Sequence, residues 1–172
     1  MPSYLEKIVA REEFFRRSAA LRASGRRVVF SNGCFDLLHA GHVRYLAQAR
    51  ALGDALFLGV NTDGSVRRLK GPTRPLVPEA ERMELLAALE IVDCVTLFDE
   101  PTPIELILGA HPDVLVKGGD WTVETIVGAP EVSGWGGLVS VIRLEAGLGT
   151  SLLVDRILER HGLPCAGKEP LP

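Results

Sequence analysis

RRVVFSNGCFDLLHAGHVRYLAQARALGDALFLGVN, Arg26 to Asn61, is the stretch from which the fold follows. Arg26 to Ser31 carries the apolar run Val28-Val29-Phe30 and reads as a strand. Gly41 to Leu52 reads as a helix closed by Gly53, and Asp54 to Val60 as a second strand. This is a βαβ unit. Between its first strand and its helix stand two histidines, His39 and His42, in a chain that has 4 in all.

The alternation continues downstream. Pro78 to Ile91 reads as a helix, Asp93 to Phe98 as a strand, Pro103 to Gly109 as a short helix and Asp113 to Val116 as a strand. A glycine-rich turn at Lys117-Gly118-Gly119-Asp120, a strand from Leu138 to Leu144 and a helix from Thr150 to Arg160 follow. Strands apolar throughout and separated by helices predict a doubly wound, Rossmann-like parallel sheet covered on both faces, in a single α/β domain. The charged, helix-forming segment before Gly25 reads as an accessory amphipathic helix over 1–25, the main domain spans 26–161, and the proline-containing end, 162–172, reads as a loose tail.

Composition sets limits on function. With 47% hydrophobic and 24% charged residues and a net charge of −3, the chain is expected to be neither a general nucleic-acid binder nor a membrane-surface protein. The N-terminus mixes acids and bases where a secretory signal needs an apolar stretch, which predicts a cytoplasmic location. Cys34, Cys94 and Cys165 are odd in number and far apart, so reduced thiols are expected rather than disulfides or a thiolate zinc site.

Open parallel sheets bind ligands at the carboxyl ends of their strands. Asn32 to His42, Asn61-Thr62-Asp63, Lys117 to Asp120 and Gly147 to Ser151 all fall directly after strands, so four turns can converge on one ligand. Asn32-Gly33 and Gly41 permit close backbone approach, and histidines flanking a helix start can face an anion together with the helix amides. The residues alone leave that role and plain capping equally open. Metal ligation by the pair is not expected, for H-E-x-x-H spacing and a third ligand are both missing. Arg67-Arg68-Leu69-Lys70-Gly71-Pro72-Thr73-Arg74 reads as a basic loop, a mobile arm able to bring Lys70 and Arg74 onto phosphates. Asp36 reads as a structural turn residue, Arg82 as a surface or salt-bridge residue, and Trp121 and Trp135 as packing residues, with no role for His111 or His161.

His39-Ala40-Gly41-His42, within N-G-C-F-D-L-L-H-A-G-H-V, resembles the H-x-G-H signature of the cytidylyltransferase-like nucleotidyltransferase superfamily. Arg68-Leu69-Lys70-Gly71, Arg74-Pro75 and Asp113 to Asp120 look like the bacterial D-glycero-beta-D-manno-heptose 1-phosphate adenylyltransferases of surface-sugar synthesis. The resemblance runs from about Arg26 to Arg160. It implies transfer of adenylyl from ATP, with Mg2+, to a sugar 1-phosphate, releasing pyrophosphate. It further implies catalytic roles for His39, His42 and Lys70, and nucleotide contacts from Asn32, Gly33, Cys34, Phe35, Gly41, Lys117, Gly118, Gly119, Thr150 and Ser151. Asn61, Asp63, Arg74 and Asp120 are acceptor-side candidates, and no protein side chain is assigned to metal.

Two departures stand out. The last turn has Gly149-Thr150-Ser151 where relatives often show S-T-T, and the arginine that cytidylyltransferases carry before it aligns with Leu144, beside Arg143, which favours adenylyl over cytidylyl transfer. Heptose adenylyltransferases are often fused to a sugar kinase, so a separate kinase is expected as an upstream partner of this 172-residue chain, and the superfamily suggests a homodimer or larger homo-oligomer. The competing readings are transfer to glycerol 3-phosphate from CTP or to phosphopantetheine or FMN from ATP, a nucleotide-binding module without turnover, and a flavodoxin-like domain.

Overall fold

A computed structural model describes residues 4–143 and 147–163. Five strands form one sheet: β1 (Val28–Gly33), β2 (Ala55–Asn61), β3 (Cys94–Phe98), β4 (Val114–Gly118) and β5 (Leu138–Ile142). All pair in parallel, in the order β3-β2-β1-β4-β5. The seven α-helices among the described residues are α1 (Arg11–Ala23), α2 (Ala40–Arg50), α3 (Asp63–Lys70), α4 (Glu79–Ala88), α5 (Ile104–Ala110), α6 (Ala129–Gly134) and α7 (Thr150–Arg160).

The two-residue period of a strand divides the core in two. Val29, Leu56, Leu58 and Val60 face α2 and α4, meeting Leu46, Ala49, Met83 and Leu86. Val28, Phe30, Ala55 and Phe57 face the other way, onto α1, α5 and α6, with Phe14, Leu106, Ile107 and Val132. Every residue of β2 is buried, which is why it reads as an unbroken apolar run.

The structure corrects several expectations. The helix before Gly25 is no accessory: Phe14 of α1 is fully buried, its ring 4.9 Å from Phe57 and 6.3 Å from Phe30 in edge-to-face contacts. The basic segment Arg67 to Lys70 is the last turn of α3 rather than part of a mobile loop, because the Thr62 hydroxyl accepts from the Ser65 amide and caps the helix 3.1 Å away. Lys117 and Gly118 end β4 instead of opening a turn, paired with Val141 and Ile142 of β5. The short helix α6 lies in a stretch that sequence spacing left unassigned. Leu144, the expected end of the last strand, lies outside the described residues.

Placing β1 between β2 and β4 is what builds the site. The chain winds from β1 through β2 to β3 and then crosses back to β4, so the carboxyl ends of β1 and β4 flank the reversal point of the sheet.

Candidate active site

His39 caps α2 with an extended backbone, φ −139°, and its Nδ1 accepts the Gly41 amide at 3.1 Å. A neutral imidazole that accepts at Nδ1 carries its proton at Nε2, so His39 presents an N–H donor outward. The same contact explains the glycine between the histidines: a Cβ on Gly41 would lie 2.9 Å from His39 Cε1 and 3.1 Å from Leu148 Cβ. His42, one turn into the helix, stacks on His39 with ring centroids 4.0 Å apart and 28° between planes. Phe35 meets His42 edge-on at 5.6 Å.

Helix-start amides contribute less than the sequence suggested. The Gly41 amide is spent on His39 Nδ1, and the His42 amide on the His39 carbonyl at 2.9 Å. With those two amides engaged, the imidazoles are the side-chain donors this helix start offers to an anion. Burial pushes the His42 pKa down to about 4, aided by His39 and the positive charge of Lys70 and opposed by Asp36. Burial also lowers His39. His42 is therefore neutral at pH 7 in the free protein, with its buried Nδ1 lacking a hydrogen-bond partner among the described residues.

The turn between β1 and α2 holds Phe35 and Leu37 at φ 48° and 51°, in the left-handed region that side chains disfavour. What fixes it there is Asp36, whose side chain is buried and accepts from the Leu76 and Val77 amides at 3.0 Å and pairs with Arg74 Nε at 2.6 Å. Burial raises the Asp36 carboxyl, but those amides and Arg74 outweigh it and hold it below the ordinary carboxylate range. Thr150 Oγ1 donates to the Asp36 carbonyl at 2.7 Å, which ties the start of α7 to the same turn. Gly147, Leu148 and Gly149 close an 80 Å³ recess beside His39. Ser151 is exposed, one residue beyond that tie.

At the carboxyl ends of β1, β2 and β4 lies a 480 Å³ cavity lined by Asn32, Gly33, Cys34, Asn61, Lys70, Lys117, Gly118 and Trp121, among others. Lys117 Nζ donates to Asn32 Oδ1 at 3.0 Å, a contact made possible by the adjacency of β1 and β4, and burial lowers its pKa. Gly119 and Asp120 follow, Asp120 exposed to solvent.

Two acceptor-side candidates are committed elsewhere. Arg74 is consumed by Asp36, and Asp63 Oδ1 accepts from Arg82 Nη2 at 2.7 Å. Asn61 donates to Ser65 Oγ at 3.0 Å while its side chain still borders the cavity. Of the two readings of Arg82, the salt bridge holds, with Asp63, and the surface position does not. The residue is 1% exposed, and its guanidinium donates to the carbonyls of Val77, Cys34 and Asn61 as well as to Asp63. It thereby joins the turns after β1 and β2 to the start of α4. The available signal was its spacing, four residues before Leu86 on the buried face of α4. Trp121, expected to pack, is 49% exposed at the cavity wall. Trp135 does pack, stacking on His111 at 3.9 Å.

Residues 30–149 match the cytidylyltransferase-like family model. Over 155 residues the chain is 56% identical to the bifunctional protein HldE of Trichlorobacter lovleyi, covering 90% of this chain and 32% of that protein. Over 158 residues it is 54% identical to HldE of Syntrophotalea carbinolica, covering 92% and 32%. The chain thus spans about a third of the length of these curated relatives. Among solved structures, a lipopolysaccharide core biosynthesis protein from Thermoplasma volcanium GSS1 superposes with a TM-score of 0.57 at 30% identity, over 70% of this chain and 98% of that one. A pantoate-beta-alanine ligase from Francisella tularensis, 13% identical, gives a TM-score of 0.56 over 84% of this chain and 68% of its own and shares the fold alone. Since the matched region takes in the core strands and the turns that carry both histidines, the chain belongs to the cytidylyltransferase-like family and is a nucleotidyltransferase.

Proposed function

We propose that the chain transfers the adenylyl group of ATP to a sugar 1-phosphate, with heptose 1-phosphate as the acceptor, giving an ADP-sugar and pyrophosphate. The observation that carries this reading is the stacked His39–His42 pair: His39 lines the recess at the last turn and ends the β1–α2 connection, whose Cys34 lines the cavity of Lys70 and Lys117. The similarity to HldE proteins and to a lipopolysaccharide core biosynthesis protein supports the acceptor class.

An oxygen of the acceptor phosphate attacks the α-phosphorus of ATP. The bond to the bridging α–β oxygen breaks, and pyrophosphate leaves with the electron pair. No protein nucleophile takes part, so positioning and charge stabilisation supply the rate. His39 donates from Nε2 to a phosphate oxygen, its ring held by the Gly41 amide. His42 rests neutral; a bound triphosphate sets negative charge beside it and raises its pKa, so it takes up a proton from solvent as nucleotide binds and faces the leaving group as a cation. Lys70 and Lys117 offset the acceptor phosphate, and Thr150 keeps α7 against the Asp36 turn.

Nucleotidyltransferases of this family generally use a divalent metal with the nucleotide. Asp36 is committed to Arg74 and two amides, and no trio of His, Cys, Asp and Glu gathers into a metal site among the described residues. A Mg2+ ion brought with the nucleotide would supply charge withdrawal from the phosphates at this site. Upstream, a kinase must place phosphate on the anomeric hydroxyl.

The test is pyrophosphate release from ATP and Mg2+ with heptose 1-phosphate, beside arms with CTP and glycerol 3-phosphate, and with ATP and phosphopantetheine or FMN. Release with the sugar phosphate alone is expected; turnover confined to another acceptor replaces this reading, and no turnover at all points to a binding module. In the active arm, His39→Ala and His42→Ala should each lower kcat by about 10²–10³, with the loss of the α2 cap in His39→Ala lowering Tm by only about 2–4 °C.

A further inference from the structure

We propose that Trp121 is the platform on which the ring of a phosphorylated pyranose stacks, with Lys117 and Lys70 holding its phosphate and Asn32 reading its hydroxyl rim. This rests on the sugar-phosphate reading of the same cavity and assigns the seat of the acceptor within it.

The chain leaves this indole 49% exposed, although an aromatic of that size ordinarily gains from burial. Trp135 shows the contrast: its face is covered by His111, and its Nε1 donates to the Pro112 carbonyl at 3.0 Å. Among the described residues, Trp121 has no comparable cover. The turn after β4 sets it there, because Gly119, at φ 121°, reverses the backbone in a conformation that a side chain resists, two residues before the indole. The Lys117 ammonium lies 6.0 Å from the centre of the indole while donating to Asn32 Oδ1 at 3.0 Å. That is within reach of a cation–π contact, so the same lysine orients the ring and marks the polar end of the cavity. Phe98 and Ile126 supply apolar wall.

A pyranose matches this arrangement. Its C–H face packs on an aromatic plane, its hydroxyls need amide and ammonium partners, and its phosphate lies one bond from the ring. The 480 Å³ cavity holds all three complements within one space of the size that takes small ligands. A nucleotide fits the pattern less well, since ribose separates its base from its phosphates while here indole and ammonium adjoin.

Steady-state kinetics with each substrate varied in turn test the assignment. Trp121→Ala should raise KM for the sugar 1-phosphate about tenfold, the scale of a lost aromatic contact, with KM for ATP and kcat within about twofold of wild type. Trp121→Phe should recover most of the loss. An unchanged acceptor KM in Trp121→Ala, or a rise in the ATP KM in its place, overturns the proposal. A second readout separates this from the fate of the proposed activity. With a non-hydrolysable ATP analogue and Mg2+ present, adding the sugar 1-phosphate should change the indole fluorescence of wild type and of Trp135→Phe, and leave Trp121→Phe unaltered. That pattern upholds the stacking role even if no pyrophosphate is released, whereas an equal response in Trp121→Phe, or none in wild type, rejects it.

Discussion

His42 shows how one side chain can be legible as to place and illegible as to state. Its position after a strand and one turn into a helix was evident from spacing, and the stack on His39 and the burial that neutralises it were not. The depressed pKa has a consequence for stability. Between the ordinary value of 6.5 and about 4, the unfolded chain binds a proton at His42 and the native one does not. Stability is thus retained above pH 6.5 and falls as pH drops toward 4. His42→Gln should flatten this part of the profile. Thermal melts of both proteins across that window check it: parallel Tm curves would show that His42 contributes nothing to the slope. Trp121 was misjudged for a related reason, since sequence reports that an indole is present and not whether anything covers it.

Among the elements, α3 and α4 carry the largest corrections. The Gly71-Pro72 pair made 67–74 read as a loop, yet the Thr62 cap and the buried Val66 are enough to hold α3 as a helix up to Lys70. Lys70 consequently projects from a defined helix end into the cavity wall. On α4, Arg82 acts as a brace between the two turns that border the cavity. Replacing it with leucine leaves Asp63 and three carbonyls without their donor in a buried setting, and urea unfolding should register a loss of about 3–5 kcal/mol. Arg82→Lys should lose less while still failing to span all four acceptors, because a single ammonium lacks the planar fork. If Arg82→Leu unfolds within about 1 kcal/mol of wild type, the brace carries no weight.

At the scale of the molecule, α1 belongs to the core. Phe14 completes an aromatic cluster with Phe30 and Phe57, and Ser18 donates to the Ala110 carbonyl at 2.6 Å from a fully buried position. Phe14→Ala should cost about 3–5 kcal/mol in chemical denaturation, as large-to-small changes in a packed core do. A chain starting at Arg26 should lose its cooperative melt rather than behave as a minimal domain, and calorimetry on that truncation would reveal a retained transition if α1 were dispensable.

The sequence by itself determined that strands and helices alternate, that the sheet is parallel and covered on both faces, and that polar, glycine-containing turns follow the strands. Those features are local: apolar period, glycine placement and residue order state them within a few positions. Which residues work together was decided only by the tertiary structure. Setting β1 beside β4 brings Asn32 to Lys117, and folding 71–78 over the first turn spends Arg74 on Asp36 while leaving Lys70 at the cavity. A cation is free or spent according to the carboxylate that packing delivers to it, and such pairings across tens of residues leave no mark on sequence spacing.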